Sequence, residues 1–110
     1  MPDQNLNRVI QQKMKTFLVL ATARASKENG KYPEDEKHAA VVFALADCVK
    51  NARMIATNHL VATEWRKVQI TDVQPVNIES LNSSEPTARN AYEYAQHVGS
   101  HAIIFTDAVD

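Results

Sequence analysis

The chain has 110 residues, enough for one domain, and its 12 basic and 13 acidic side chains leave a net charge of −1. The basic residues are scattered rather than clustered, which argues against a nucleic-acid-binding surface, and no apolar stretch approaches the length of a membrane span. The single cysteine, Cys48, excludes an intramolecular disulfide and is typical of a reducing compartment, so we expect a cytoplasmic protein.

Residues 1–14 are predicted as a helical extension of a single domain that spans residues 1–110. Asp3 can cap a short helix with a narrow apolar stripe. The stripe consists of Leu6, Val9 and Ile10. Met14 and the apolar residues 17–21 imitate a secretion signal, but that stretch is shorter than the roughly 7–15 apolar residues of such signals. We therefore expect no secretion, and an internal start at Met14 stays open.

Residues 16–25 predict a strand whose first half is apolar on both faces. A loop over 26–37 follows, because Asn29-Gly30 is a turn signal and Pro33 interrupts regular structure. The acidic run 34–36 in this loop is expected to be solvated rather than to bind a metal.

The run of residues 39–46, AAVVFALA, is entirely apolar and cannot lie in an element with one exposed face. As a helix, it would join the following pattern in one element far longer than the usual globular helix of about 11–12 residues. Its β-branched and aromatic centre favours a strand. We predict a strand, with Asp47 as the N-cap of the next helix, and keep the long helix as the alternative.

The second half of the chain predicts alternating helices and strands. A helix runs from Cys48, expected to be partly buried in its first turn, to about Thr63. Residues 65–76 predict an edge strand, because Pro75 cannot donate to a neighbour. After a polar loop over 77–86, a helix with a Pro near its start ends at Gly99, and residues 101–109 form the last strand.

This order predicts an α+β fold, a two-layer sandwich in which two helices cover one face of a four-stranded mixed sheet. The order β-β-α-β-α-β, after the short N-terminal helix, is ferredoxin-like in general character. Three of the four strands are apolar on both faces, so the uncovered face needs another partner. We expect a homodimer that forms through this sheet face, helped by the many small alanines.

The histidines do not form a recognisable metal-binding or catalytic motif. His97 and His101 have the spacing of two ligands on a helix, but Gly99 between them is expected to end that helix. His59 is expected to be packed and hydrogen-bonded, and His38 to be solvated at a strand end. The chain has two glycines, Gly30 and Gly99, which excludes a glycine-rich phosphate loop.

No motif specifies an activity, and the sequence designates no catalytic, cofactor-binding or metal-binding residue. Polar residues at strand ends are expected at the solvated rim of the sheet; they are Thr22, Arg24, Thr106 and Asp107. Trp65 and Tyr92 are expected to pack on the core, although these two and Tyr94 could stack on a ligand.

Two functions are considered. The first is a non-catalytic homodimeric binding or assembly module, with no nucleic-acid, membrane or cofactor partner. The alternative is a small enzyme whose site forms at the dimer interface from residues such as Arg24, His38 and Asp107.

Overall fold

The computed structural model describes residues 14–82 and 85–109, so the predicted helix over 3–13 lies outside the described residues. Four strands and three helices follow one another within these described residues. They are β1 Lys15–Ala25, β2 Lys37–Ala46, α1 Val49–Ala62, β3 Trp65–Pro75, α2 Ile78–Asn82, α3 Pro86–Val98 and β4 Ser100–Ala108. Within the described part, no helix is both long and apolar enough to cross a membrane.

The four strands form one sheet in the order β3-β1-β2-β4, and every neighbouring pair is antiparallel. The apolar run 39–46 is confirmed as a strand in the sheet interior, and the Trp65 strand is confirmed at an edge. The prediction of a mixed sheet is wrong. The strands on either side of α1, β2 and β3, run parallel, but β1 lies between them and pairs with both, so no parallel strands are neighbours.

The central pair β1–β2 buries side chains on both of its faces. Val19 lies opposite Val42 and Leu18 lies opposite Phe43, and successive pairs point to opposite sides. The odd residues of β1 and the even residues of β2 enter one core cluster, which we call the first core. Phe43 enters the other cluster, the second core, with Leu18 packed against it.

Each longer helix covers a different core. Helix α1 buries Ala52, Ala56 and Leu60 in the first core. Helix α3 buries Ala91 and Ala95 in the second core. The prediction that both helices cover one face is therefore wrong, and the ferredoxin-like arrangement is not confirmed. The reason is the two-sided sheet centre, which needs a helix on each side to exclude water.

Residues at the helix ends set the boundaries of α1 and α3, and one predicted N-cap is wrong. Cys48, not Asp47, occupies the N-cap of α1, and the Cys48 side chain is exposed rather than partly buried. Asp47 instead accepts a 2.6 Å bond from the Asn51 amide, which holds the pKa of Asp47 below its usual value. At α3, the predicted end at Gly99 is confirmed, since its φ of 99° is the left-handed conformation that glycine adopts freely.

Helix α2 lies in the segment 77–86, for which the sequence predicts a polar loop, so that prediction is wrong for residues 78–82. It has five residues, and its packing rests on Leu81, which is buried in the second core. The Asn77 side chain accepts from the Ser80 N–H and so caps the first turn. A single turn of helix with one buried residue leaves too short a periodic pattern to detect in sequence.

Helix α1 approaches the sheet closely because both surfaces are built from alanine. Ala56 is fully buried against a face that includes Ala21, Ala40 and Ala44. We expect Ala56→Leu to lower the free energy of unfolding by about 1–3 kcal/mol, because the added carbons have no space. Urea unfolding followed by circular dichroism measures the change.

The matched control is Ala62→Leu, since Ala62 lies in the same helix with its side chain exposed. We expect a change within about 0.5 kcal/mol there. Equal effects of the two substitutions would contradict the close packing of α1.

Candidate functional site

A cavity of about 260 Å³ lies over β4, between α1 and the loop that joins β1 to β2. We call it the donor cavity. The lining side chains come from that loop, from the end of α1, from the start of β3 and from β4. They are Asn29, Lys31, Tyr32, His59, Thr63, Trp65, His101, Ala102 and Ile104.

The described residues that line the donor cavity include basic side chains and no acidic one. Lys31, His59 and His101 supply an ammonium and two imidazoles, and none of the other described lining residues is Asp or Glu. The Lys31 ammonium lies 5.9 Å from the centre of the Tyr32 ring. The net charge of the whole chain is −1, so this is a local departure from its average charge. Such a lining favours an anionic group over a cation.

The two imidazoles belong to different elements, His59 to α1 and His101 to β4. His59 Nδ1 lies 2.9 Å from the Ser100 hydroxyl, which confirms the predicted hydrogen-bonded histidine. The centres of the His59 and His101 rings are 6.4 Å apart, and the His101 ring packs on Tyr94 at 4.8 Å. Burial lowers the pKa of His59, and the nearby His101 lowers it further.

An aromatic group forms the floor behind the cavity. Trp65 is buried in the first core, which confirms the prediction that it packs on the core. The Tyr32 and His38 ring centres are 4.2 Å apart, and those of His38 and Trp65 are 5.6 Å apart. Because these rings pack on one another, Tyr32 and Trp65 present a rigid apolar surface to the cavity.

His38 is 1% exposed, so the prediction of a solvated strand end is wrong. Its Nδ1 donates to the Phe105 carbonyl at 2.7 Å, and its Nε2 lies 2.7 Å from a Glu36 carboxylate oxygen. A carbonyl oxygen only accepts, so the proton on Nδ1 is fixed. Both nitrogens are occupied, and His38 is therefore a structural link between strands rather than a free base.

The loop between β1 and β2 is fastened in a way that places Lys31 and Tyr32. The Asn29 side chain accepts from the backbone N–H groups of both residues and donates to the Glu64 carbonyl at 2.9 Å. In the acidic run, Glu34 and Asp35 are exposed and Glu36 is half-buried. Asp35 pairs with Arg66 at 3.0 Å, which holds the pKa of Asp35 below its usual value, and Glu36 pairs with His38.

The polar strand-end residues singled out in the sequence do not converge. His38 packs with Trp65 on the first-core side, whereas Arg24 and Leu18 share the other face of β1. Arg24 donates to the Asp35 carbonyl, and Thr106 and Asp107 are exposed on β4. None of them lines the donor cavity.

Candidate metal ligands do not gather in the described ranges, where no group of three or more His, Cys, Asp or Glu side chains could hold a metal. His97 is exposed near the end of α3, and His101 belongs to β4, so the pair is not on one helix.

A larger cavity, of about 380 Å³, lies between α2 and the ends of β1 and β3. Its described lining has amides, one hydroxyl and apolar groups, and it lacks ionisable side chains. The donor cavity therefore has the more specific chemistry. Sequence reasoning missed it because Lys31, His59 and His101 are far apart in the chain, and only their convergence gives them meaning.

Comparison with protein-family models, with curated proteins and with solved structures finds no match for this chain. The site's own geometry is therefore the basis for a functional proposal.

The lowered pKa of His59 predicts how stability depends on pH. Its ordinary value is 6.5, and the folded protein holds it below that. Between the lowered value and 6.5 the unfolded chain binds more protons than the folded chain, so the free energy of unfolding falls as the pH decreases through this window. Urea unfolding at about pH 7.5, 6.5 and 5.5 measures the slope.

We expect His59→Gln to reduce that slope, because glutamine keeps a polar partner for Ser100 but does not titrate. His97→Gln on the exposed end of α3 is the control and should leave the slope unchanged. A slope that survives in the His59 variant would contradict this assignment.

Proposed function

We propose that this protein is a non-catalytic homodimeric binding module that holds a small anionic molecule in the donor cavity. The observation that supports this most directly is the lining itself, in which Lys31, His59 and His101 surround one space and no described lining residue is acidic. A carboxylate or phosphate group in that space would replace lost hydration with charge-assisted hydrogen bonds. The apolar side chains of Trp65 and Ile104 would contact the rest of the molecule.

The alternative, a small enzyme, has one feature in its favour. Ser100 Oγ and His59 Nδ1 are 2.9 Å apart, within the distance of a nucleophile and its base. However, none of the hydrogen bonds found between described residues joins a carboxylate to His59, so nothing orients the ring as in a catalytic triad. The lowered pKa of His59 also makes it a weaker base. Both features favour binding without catalysis.

The homodimer is part of the proposal, although the second face of the sheet is partly covered within one chain. Helix α3 covers the second face over Leu18 and Phe43, leaving Leu20, Thr22 and Arg24 half-buried beyond it. This remainder is smaller and more polar than an entirely uncovered face. The proposed location is the cytoplasm, in keeping with an unpaired, exposed Cys48.

Fluorescence of Trp65 tests the binding proposal, because it is the chain's single tryptophan and lines the cavity. We expect saturable changes on titration with acetate, citrate or inorganic phosphate at constant ionic strength, and none with glycerol. The carboxylate and phosphate arms distinguish the two classes of anion. Binding should strengthen at lower pH, because a larger fraction of His59 is then protonated and attracts the anion.

Lys31→Ala should weaken the response of the best probe about 10-fold or more, since a hydrogen bond to a charged group contributes about 1.5–3 kcal/mol. Lys27→Ala removes an exposed lysine of the same loop that does not line the cavity, and it should bind like the parent protein. A flat titration with all three anions, or equal weakening in both variants, would contradict the proposal.

A further inference from the structure

The loop between β1 and β2 contains the single Asn-Gly pair of the chain, Asn29-Gly30. Asparagine is among the chemically labile residues of proteins. Its side-chain carbonyl carbon lies close to the backbone nitrogen of the next residue along the chain, so an attack by that nitrogen is intramolecular. Glycine has no Cβ to shield the nitrogen. The loop therefore carries the pair of residues that is most prone to deamidation.

The Gly30 nitrogen is accessible in the structure. Gly30 is exposed, and no hydrogen bond found between described residues uses its N–H. Apart from the adjacent residues, an added Cβ would have one neighbouring atom within 4 Å, the Glu28 carbonyl oxygen at 3.9 Å. The position still favours glycine, because its φ of 72° is left-handed. An unshielded nitrogen thus follows Asn29.

The Asn29 side chain, in contrast, is held through both atoms of its amide. Nδ2 donates to the Glu64 carbonyl at 2.9 Å. Oδ1 accepts from the backbone N–H groups of Lys31 and Tyr32, at 3.2 and 3.1 Å. Asn29 is half-buried, and Glu64 lies in the turn that joins α1 to β3. One amide therefore fastens the loop to a segment far away in the chain.

The backbone around Asn29 uses the same acceptor. The Ser26 N–H also donates to the Glu64 carbonyl, at 3.1 Å, and the Asn29 N–H donates to the Ser26 carbonyl at 3.1 Å. Both ends of the turn 26–29 are thus attached to one carbonyl, the first end through the backbone and the second through the Asn29 side chain. Loss of the side-chain donor would leave the second end unattached.

We propose that Asn29 is a site of spontaneous deamidation, whose native contacts delay the reaction and whose product detaches the loop from the turn between α1 and β3. Ring closure expels Nδ2 and so breaks its bond to Glu64, and it moves Oδ1 away from the two N–H groups that donate to it. The loop consequently has to open locally before the side chain reacts.

The reaction consumes water and needs no other reagent. The Gly30 nitrogen forms a bond to the Asn29 side-chain carbonyl carbon, and the bond from that carbon to Nδ2 breaks. Nδ2 leaves as ammonia with the proton that Gly30 loses. Water then opens the cyclic imide, at the side-chain carbonyl to give aspartate or at the main-chain carbonyl to give isoaspartate. No atom is oxidised or reduced in either step.

Both products lose the link to Glu64. A carboxylate has no N–H to donate, so its oxygen faces the Glu64 carbonyl oxygen where a hydrogen bond had been. The new negative charge lies in the lining of the donor cavity, where no described residue is acidic. We therefore expect anion binding to weaken. This consequence rests on the proposed function, whereas the delay and the detachment do not.

The delay is measured on the full parent chain, incubated at mildly alkaline pH in native buffer or in guanidinium chloride. Peptide mass spectrometry then counts the Asn29 that has been converted. We expect conversion to be about 10-fold slower or more in the folded chain, because several hydrogen bonds must break first. In guanidinium chloride, the exposed Asn58 and Asn90 are references that should convert more slowly than Asn29, since a Cβ shields the nitrogen that follows each of them. Equal rates for Asn29 in the folded and unfolded chains would overturn the proposal.

The detachment is measured with Asn29→Asp, which reproduces one product. Trypsin should cleave after the exposed Lys31 about 10-fold faster than in the parent protein, because the loop opens more often. Asn90→Asp is the control, since it introduces the same charge at an exposed position of α3 and should leave the cleavage rate unchanged. Unchanged cleavage in the Asn29 variant, or equal acceleration in both, would contradict the detachment.

Trp65 titration with phosphate, acetate and citrate separates this proposal from the cavity assignment. We expect Asn29→Asp to bind the best of these anions about 10-fold more weakly than the parent protein and Asn90→Asp to bind it equally well. Faster cleavage of the Asn29 variant, with no anion binding by the parent protein, would support the detachment and overturn the cavity assignment. Undiminished anion binding by the Asn29 variant would overturn the expected effect of deamidation and leave the cavity assignment in place.

Discussion

The structure depends on the pairing of β1 with β2, because this pair is apolar on both sides. Val19 with Val42 fills the first core, and Leu18 with Phe43 fills the second. Exposing either face of such a pair to water would cost a large amount of free energy. Helix α1 therefore has to lie on one side and α3 on the other, and the chain must cross from β3 at one edge to β4 at the other.

His38 connects this central pair to the site. The register between β2 and β4 shifts between His38 and Ala40, and the Phe105 carbonyl beyond the shift accepts the Nδ1 proton of His38. Its other nitrogen holds Glu36, and its ring packs on Tyr32 and Trp65. One buried imidazole thus joins β4 and the loop that carries the cavity's lysine. Burial of a polar ring is tolerated because both nitrogens are hydrogen-bonded.

The alanines show how much of the packing of helices on the sheet could be predicted from the sequence. Their positions indicate surfaces of low volume, which in the sequence favour close approach by a second copy of the chain. In the structure, Ala52 and Ala56 of α1 pack on the alanine-rich first-core face of the same sheet. Periodicity predicts which residues share a face, and it does not say what covers that face. For the same reason, periodicity alone does not show that α1 and α3 lie on opposite sides of the sheet.

The sequence by itself determined the four strands, the two longer helices and the end of α3 at Gly99. It also determined the central position of the run 39–46. Periodicity, turn residues and apolarity on both faces of a strand are local properties, so the sequence alone shows them. Only the tertiary structure decided the antiparallel order, the burial of His38 and the meeting of Lys31, His59 and His101. These depend on contacts between residues distant in the chain. No local pattern records which strand pairs with which, or which side chains then share a cavity.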